Sequence, residues 1–431
     1  MTAKRSETAV LDDGSATAIE HAYTKMTPTS AAMMRRASQS MTRGITRSLS
    51  WFAPYPVVFE RGEESALYDL DGNRYIDLFS NGLSLIHGHA YRPIDEALRT
   101  ALSRGTAWPG ASDAQVEFAE LLCERVPGVE QVRFTNTGTE ATMLAVKLAR
   151  HLTGRQLVVK GVHAYHGSFE DLEAGLLGRG AIAGRVALAS FGDLDSWSEE
   201  LDRHAGEVAA VIVEPIQYTG VVTTPPDGFL RELQRLTRDA GALFILDDCL
   251  MFRLAEGGSA ERFGLAPADI TCLGKWIGGG LPVGVIGARR ELMKCFDPDS
   301  AHPLYHGGSF NGNLLGSVAG RIAVRDFTAE AIQRIDSCGD RLRAALHTAA
   351  AAAGISLYTP GLGSVFGLYV LDGADGAIDW RATAHLHLAA VTHGVYYGSG
   401  GEFGLNTALG EEDLERAIGG LEGAIRDLAS R

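Results

Sequence analysis

Long apolar runs are missing from this chain: nothing approaches the roughly 20 residues that a membrane-spanning helix requires. Paired cysteines are missing too. Cys123, Cys249, Cys272, Cys295 and Cys338 include no Cys-x-x-Cys, and their odd number and irregular spacing do not read as a disulfide framework, so they are taken as reduced and mostly in the core. Positive charge is scarce. The 39 Lys and Arg against 53 Asp and Glu leave a net charge of −14, which argues against non-specific binding to nucleic acid or an anionic membrane and favours a small-molecule substrate. There is no internal repeat and no low-complexity tract. The first 50 residues hold no apolar h-region, and Arg35-Arg36 lead into polar sequence, so neither a signal peptide nor twin-arginine export is supported; a cytoplasmic protein is expected.

Glycine, by contrast, is abundant at 52 of 431 residues, which points to tight loops around a ligand. The length allows two or three domains of about 150 residues, and one large with one small domain would fit. Residues 1–45 are polar and weakly patterned, with a short helix around Ala18–Lys25, and read as a partly mobile arm. Residues 46–109 are assigned to the small domain. In them Ala66–Leu70 and Arg74–Phe79 form a hairpin, because Asp71-Gly72-Asn73 supplies the left-handed positions of a tight turn. Between 110 and 324 apolar runs alternate with helical periodicity, the pattern of a mainly parallel sheet covered by helices, in a large domain. The predicted strands are Gln131–Thr135, Gln156–Lys160, Ala209–Val213, Ala242–Asp247, Ile270–Leu273 and Val283–Ala288; a helix runs over Phe229–Ala240 and stops at Gly241. Residues 325–431 return to helices and short strands. They complete the small domain and end in an amphipathic helix carrying Leu414, Ala417, Ile418, Leu421, Ala424, Ile425 and Leu428.

Three segments carry chemistry. Thr137-Gly138-Thr139 follows a strand and opens a helix, where backbone N–H groups and the helix dipole would hold a phosphate; a plain N-cap would look the same. The strand Ala242–Asp247 ends in Asp247-Asp248 at the carboxyl edge, where open α/β sheets bind ligands, and one of the two carboxylates should face the site. A protonated pyridine nitrogen would satisfy a carboxylate there, although solvated strand-end carboxylates fit the same pattern. Lys275 lies in the apolar, glycine-rich Thr271–Gly280 stretch directly after a strand, a setting that lowers an amine's pKa and makes it a Schiff-base nucleophile, whereas most lysines are simply solvated.

In this order the segments resemble the subgroup-III (omega-type) aminotransferases of pyridoxal-phosphate fold type I, from about Arg47 to the C-terminus. Asn136-Thr137-Gly138-Thr139-Glu140-Ala141 is similar to that family's phosphate loop, and Ala164-Tyr165-His166-Gly167 to its Tyr-His-Gly segment. Val213-Glu214-Pro215-Ile216-Gln217 is similar to its Val-Glu-Pro segment, and Gly307–Asn313 to a stretch that completes the neighbouring subunit's phosphate site. Thr46-Arg47-Ser48 with Phe52-Ala53-Pro54-Tyr55-Pro56 resembles the start of bacterial β-phenylalanine aminotransferases, themselves similar to glutamate-1-semialdehyde aminomutases.

The resemblance implies an α/β fold type I protein, with a mainly parallel seven-stranded sheet in the large domain and a smaller α+β domain. It implies pyridoxal 5′-phosphate as cofactor, Lys275 as the Schiff-base lysine and Asp247 as partner of the pyridine nitrogen. Thr137, Gly138 and Thr139 would hold the phosphate, Tyr165 would stack on the ring, and Gln217 would meet its phenolic oxygen. Ser309, where relatives usually have threonine, would serve the neighbouring site, which makes the protein a homodimer. Arg47 would take the substrate carboxylate as a planar, bidentate partner. The implied activity is amino transfer between a carboxylated, possibly β-, amino acid and a keto acid or aldehyde. The alternatives are an aminomutase, a specialised-metabolism lyase, or an inactive cofactor-binding regulatory protein; retention of Lys275 and Asp247 argues against the last.

Two departures bear on substrate. Asp247-Asp248-Cys249-Leu250-Met251 replaces the family's Asp-Glu-Val-Met-Thr, which leaves Asp247 in place. Gly398-Ser399-Gly400-Gly401-Glu402 stands where the β-phenylalanine enzymes carry an arginine for acceptor acids, and a dicarboxylate acceptor would lose that partner. The glycine-rich loop Gly175–Gly184 also lacks the aminomutase's gating pattern.

Overall fold

The computed structural model describes residues 17–176, 179–373 and 376–430. Residues 1–16 of the N-terminal segment, and Leu177 and Gly178 of the Gly175–Gly184 loop, lie outside the described residues. The chain divides into two compact units, one of residues 92–332 and one of residues 1–91 with 333–431.

In the 92–332 unit seven strands form one sheet, in the order Gln131–Thr135, Gly284–Ala288, Ile270–Leu273, Leu243–Asp247, Val208–Val213, Leu157–Gly161, Val186–Ala189. Gly284–Ala288 runs antiparallel to both its neighbours, and the other pairs are parallel. Six of these strands were legible in the sequence. The seventh, Val186–Ala189, was not: four residues of Val, Ala and Leu at the sheet edge give too short an apolar run to separate from a loop.

The central strands are apolar up to their carboxyl ends because both of their faces are covered. Alternate residues enter two different cores. Val158, Ala210, Ile212 and Ile245 pack with Ala141, Leu144 and Ala145 of the Gly138–Thr153 helix. Leu157, Val159, Val211, Val213, Phe244 and Leu246 pack instead with Trp197, Phe229 and Leu233 from the helices on the other face. Fully burying one such side chain contributes about 1.5–3 kcal/mol, so a one-residue slip of any central strand would exchange two cores at once. This parity also settles where the strand ends point. Lys160, Glu214 and Asp247 continue the alternation toward the Gly138–Thr153 helix, and Asp248 turns away from it.

The other unit carries the hairpin of Ala66–Asp69 and Arg74–Asp77, with Gly72 at φ +85° in the turn. Its core joins Tyr75, Leu78, Leu386, Val395, Phe403, Leu414, Leu421 and Ile425, the last three from the amphipathic Glu411–Ala429 helix. Part of the segment read as a weakly patterned arm is ordered as two helices, Ala18–Met26 and Pro28–Ala37. Thr17 and Glu20 cap the first reciprocally, Pro28 opens the second, and Tyr23 is fully buried with its hydroxyl donating to the Tyr55 carbonyl at 2.7 Å. The capping box was present in the sequence; the anchor was not visible without the partner surface. No disulfide forms, and four of the five cysteines are buried. Among the described residues no helix is long and apolar enough to cross a membrane.

Candidate active site

Three chain crossings meet at the carboxyl edge of the parallel strands. Thr137 caps the helix Gly138–Thr153, its hydroxyl accepting from the Glu140 N–H. Gly138 sits so close to the next two segments that a Cβ on it would lie 3.0 Å from Cys249 Sγ, and a Cβ on Gly274 would lie 3.1 Å from Gly138 Cα. The phosphate-type loop and the residue before Lys275 are therefore packed backbone against backbone, with the Cys249 side chain, two residues after Asp247, against both glycines. Strand register brings Asp247 opposite Cys272, three residues before Lys275. Lys275 itself opens a short 3₁₀ turn at φ +54°, a conformation that a side chain rarely adopts and that surrounding structure must hold in place.

Asp247 is 5% exposed. Its carboxylate accepts from His166 Nδ1 at 2.8 Å and from the Cys249 N–H at 3.2 Å. Burial opposes ionisation, but the His166 hydrogen bond, with help from Cys249 and the Lys275 charge, brings the carboxyl below the ordinary aspartate value. Burial pushes His166 down and so favours the neutral ring, with Nδ1–H donating to Asp247 and Nε2 buried without a hydrogen-bond partner among the described residues. Among the described residues no group of three or more His, Cys, Asp and Glu is placed to hold a metal ion. The arrangement fits pyridoxal phosphate. It offers a primary amine, a buried ionised carboxylate with acceptor capacity remaining for a protonated ring nitrogen, and a helix N-terminus for the phosphate.

A loop completes this face. Tyr165 is 37% exposed, with its hydroxyl 3.3 Å from Ser168 Oγ and its N–H donating to Glu214 Oε1 at 2.8 Å. Gly167, at φ +97°, lies against Thr139, and the Ser168 N–H donates to Thr139 Oγ1 at 3.3 Å. Gln217 is buried, its side-chain amide donating to the Val162 carbonyl at 2.6 Å and its backbone pairing with Thr223. The fold thus brings Thr137, Gly138, Thr139, Tyr165, Gln217, Asp247 and Lys275 to one edge of one sheet. Ser309 is exposed in a loop tied to that edge by Asn311, which accepts from Asn136 Nδ2 at 2.9 Å. Arg47 lies in the other unit, exposed, donating to Ser50 Oγ at 2.9 Å and to Asn81 Oδ1 at 2.6 Å.

Reading from sequence gave no role to His166, Lys160 or Glu214. Each had a signal: His166 adjoins Tyr165, and Lys160 and Glu214 are charged residues ending otherwise apolar central strands.

This fold and site define a pyridoxal-phosphate-dependent enzyme of fold type I. A transaminase structure with pyridoxal phosphate bound superposes with a TM-score of 0.88 at 32% identity, covering 94% of this chain and 98% of that one. More narrowly, the profile of the class-III aminotransferases matches residues 50–172 and 193–408, and the chain belongs to that family. It is similar to the β-phenylalanine transaminase of Variovorax paradoxus, at 33% identity over 92% of both chains, and the structure of a β-phenylalanine aminotransferase from that organism superposes with a TM-score of 0.87, covering 94% of this chain and 96% of that one. It is also similar to a glutamate-1-semialdehyde 2,1-aminomutase of Chloroflexus aggregans, at 37% identity over 86% of this chain and 91% of the relative.

Proposed function

We propose that this aminotransferase moves an amino group from a carboxylated amino acid, with a β-amino acid the leading candidate, to a keto acid or aldehyde. The observation that carries the reading is the buried Asp247, held ionised by His166 on the strand beside the one that leads to Lys275. Similarity to the β-phenylalanine transaminase supports the donor class.

When bound, pyridoxal phosphate supplies an electron sink for negative charge at the carbon beside the substrate nitrogen. Lys275 Nζ would hold the cofactor and, once exchanged for the substrate amine, take the proton from that carbon and deliver it to the cofactor's former aldehyde carbon, so that the nitrogen stays with the cofactor and water releases the keto product. Asp247 would keep the ring nitrogen protonated, and His166 would stop the carboxyl from being neutralised by its own burial. Thr137, Gly138 and Thr139 would receive the phosphate, Tyr165 would cover one face of the ring, and Gln217 would turn its remaining amide hydrogen to the phenolic oxygen. Arg47 would bind the substrate carboxylate. Ser309 would serve the site of a second subunit in a cytoplasmic homodimer.

A visible spectrum of the holoenzyme, titrated with α-amino acids, β-amino acids and simple amines without acceptor, tests the proposal. Conversion of the yellow protein to a near-ultraviolet-absorbing form, with one keto product per site, is the expected result. A yellow protein that no donor converts would overturn it in favour of intramolecular amine exchange, the reading supported by the 37% identity to the aminomutase.

A further inference from the structure

Lys160 ends the strand Leu157–Gly161, and Glu214 follows the adjacent parallel strand Val208–Val213. Lys160 is fully buried and Glu214 is 6% exposed. Lys160 Nζ donates to three backbone carbonyls: Ala164 at 2.8 Å, Leu172 at 2.8 Å and Ala174 at 2.6 Å. An ammonium has three protons, so this set satisfies it. Glu214 Oε1 accepts the Tyr165 N–H at 2.8 Å. The Ala164 carbonyl and the Tyr165 N–H belong to a single planar peptide unit. A buried ammonium and a buried carboxyl therefore grip the same peptide from its two ends.

The loop around that peptide has no strand ladder to hold its direction, and its other side-chain ties fall on neighbouring residues: Gln217 on the Val162 carbonyl, Thr142 on the His166 carbonyl and His166 on Asp247. It leaves the sheet at Gly161 and bends through His163 at φ +65° and Gly167 at φ +97°, so no ladder pairing runs through Tyr165. Burying a charge without full compensation is costly, and an apolar side chain would fill either strand end more cheaply. We propose that Lys160 and Glu214 are positioning residues that fix the Ala164–Tyr165 peptide and so hold the Tyr165 ring in the direction required for cofactor binding. This rests on the reading of Tyr165 as the stacking residue. Burial lowers Lys160 to about 8 against the opposing pull of Glu214, while burial and the Asp247 charge raise Glu214 to about 8 against the Tyr165 N–H, Lys275 and Lys160; the Glu214 carboxyl keeps an oxygen that accepts the Tyr165 N–H whether or not it is protonated.

The test is a double-mutant cycle on the full-length protein, with three readouts: the pyridoxal phosphate dissociation constant of the apoenzyme, the visible circular dichroism of the bound cofactor, and the apoenzyme melting temperature. Lys160→Met is expected to weaken cofactor binding roughly tenfold and to reduce the dichroic band when Tyr165 is present, the scale of one hydrogen-bonded charge. In a Tyr165→Ala background the further loss should shrink to less than about twofold, because residues that act as a unit are not additive. Glu214→Gln keeps an acceptor for the Tyr165 N–H and should act in the same direction by roughly threefold; it serves as the second variant if Lys160→Met does not fold. Equal weakening with and without Tyr165, or a fall in melting temperature with cofactor affinity and dichroism unchanged, would show a purely structural role and overturn the proposal. If Tyr165→Ala alone binds cofactor like the wild type, the stacking reading fails and the proposal falls with it.

Discussion

Gly167→Ala should damage cofactor binding out of proportion to the single methyl it adds. At φ +97° a side chain is strained by about 1–3 kcal/mol. The new Cβ would stand 2.6 Å from Thr139 Oγ1 and 2.7 Å from Thr139 Cα. Thr139 is in the first turn of the Gly138–Thr153 helix and its backbone cannot swing aside, so overlap adds about 1–3 kcal/mol. Together the cost is about 2–6 kcal/mol, which at about 2–4 °C per kcal/mol for a unit of this size lowers the melting temperature by roughly 4–24 °C. The relief available to the protein is to push the Tyr165 loop away from the phosphate-type loop. Pyridoxal phosphate should then bind roughly tenfold or more weakly, the equivalent of about 1.4 kcal/mol.

Gly154→Ala provides the matched control. Gly154 caps the other end of the same helix at φ +68°, with open space where its Cβ would go, so it carries strain alone, about 1–2 kcal/mol. Thermal melts of both apoenzymes and fluorescence titration with cofactor separate the two effects. Equal losses of stability, with cofactor affinity intact in Gly167→Ala, would refute the reasoning that ties this loop to the helix N-terminus.

Other expectations are shorter to state. Lys275→Ala should abolish the borohydride-reducible cofactor adduct, and peptide mapping that still finds an adduct in the same region would disprove its role. Arg47→Ala should raise KM for carboxylated amines roughly 10- to 100-fold, the value of a charge-assisted pair, and leave simple amines nearly unchanged; an equal loss for both classes would remove it from substrate binding. Asp248 is buried, and burial raises it to about 7 despite the Ser259 N–H, so the fold favours its protonated form. That stability is present below the ordinary aspartate value and is lost as pH rises through about 7, by about 4 kcal/mol at most. Melting temperature should therefore fall less steeply from pH 5 to 8 in Asp248→Asn than in the wild type; parallel curves would contradict the assignment.

Much of the site was legible because its parts are short and locally determined. A strand, a capped turn and a helix place Thr137, Gly138 and Thr139, and an apolar strand ending in acid places Asp247, whatever the rest of the chain does. The choice between Asp247 and Asp248 is also local in principle, since it follows from strand parity once Ile245 is known to face the Gly138–Thr153 helix. Edge strand Val186–Ala189 and the buried Tyr23 were not legible, because short apolar runs and single aromatics take their meaning from what covers them.

The sequence carried the cofactor-type chemistry in the order of its motifs, through their resemblance to the fold type I aminotransferases, while backbone propensity and the period of two placed those motifs on strands, turns and helices. Only the tertiary structure decided how those motifs are held. Lys160, Glu214 and His166 act through partners 4 to 81 positions away, and a hydrogen bond's worth depends on burial that no local window contains. The close approaches of Gly138, Gly167 and Gly274 are of the same kind: a missing side chain is visible in the sequence, but the backbone that passes through its space is supplied by another part of the chain.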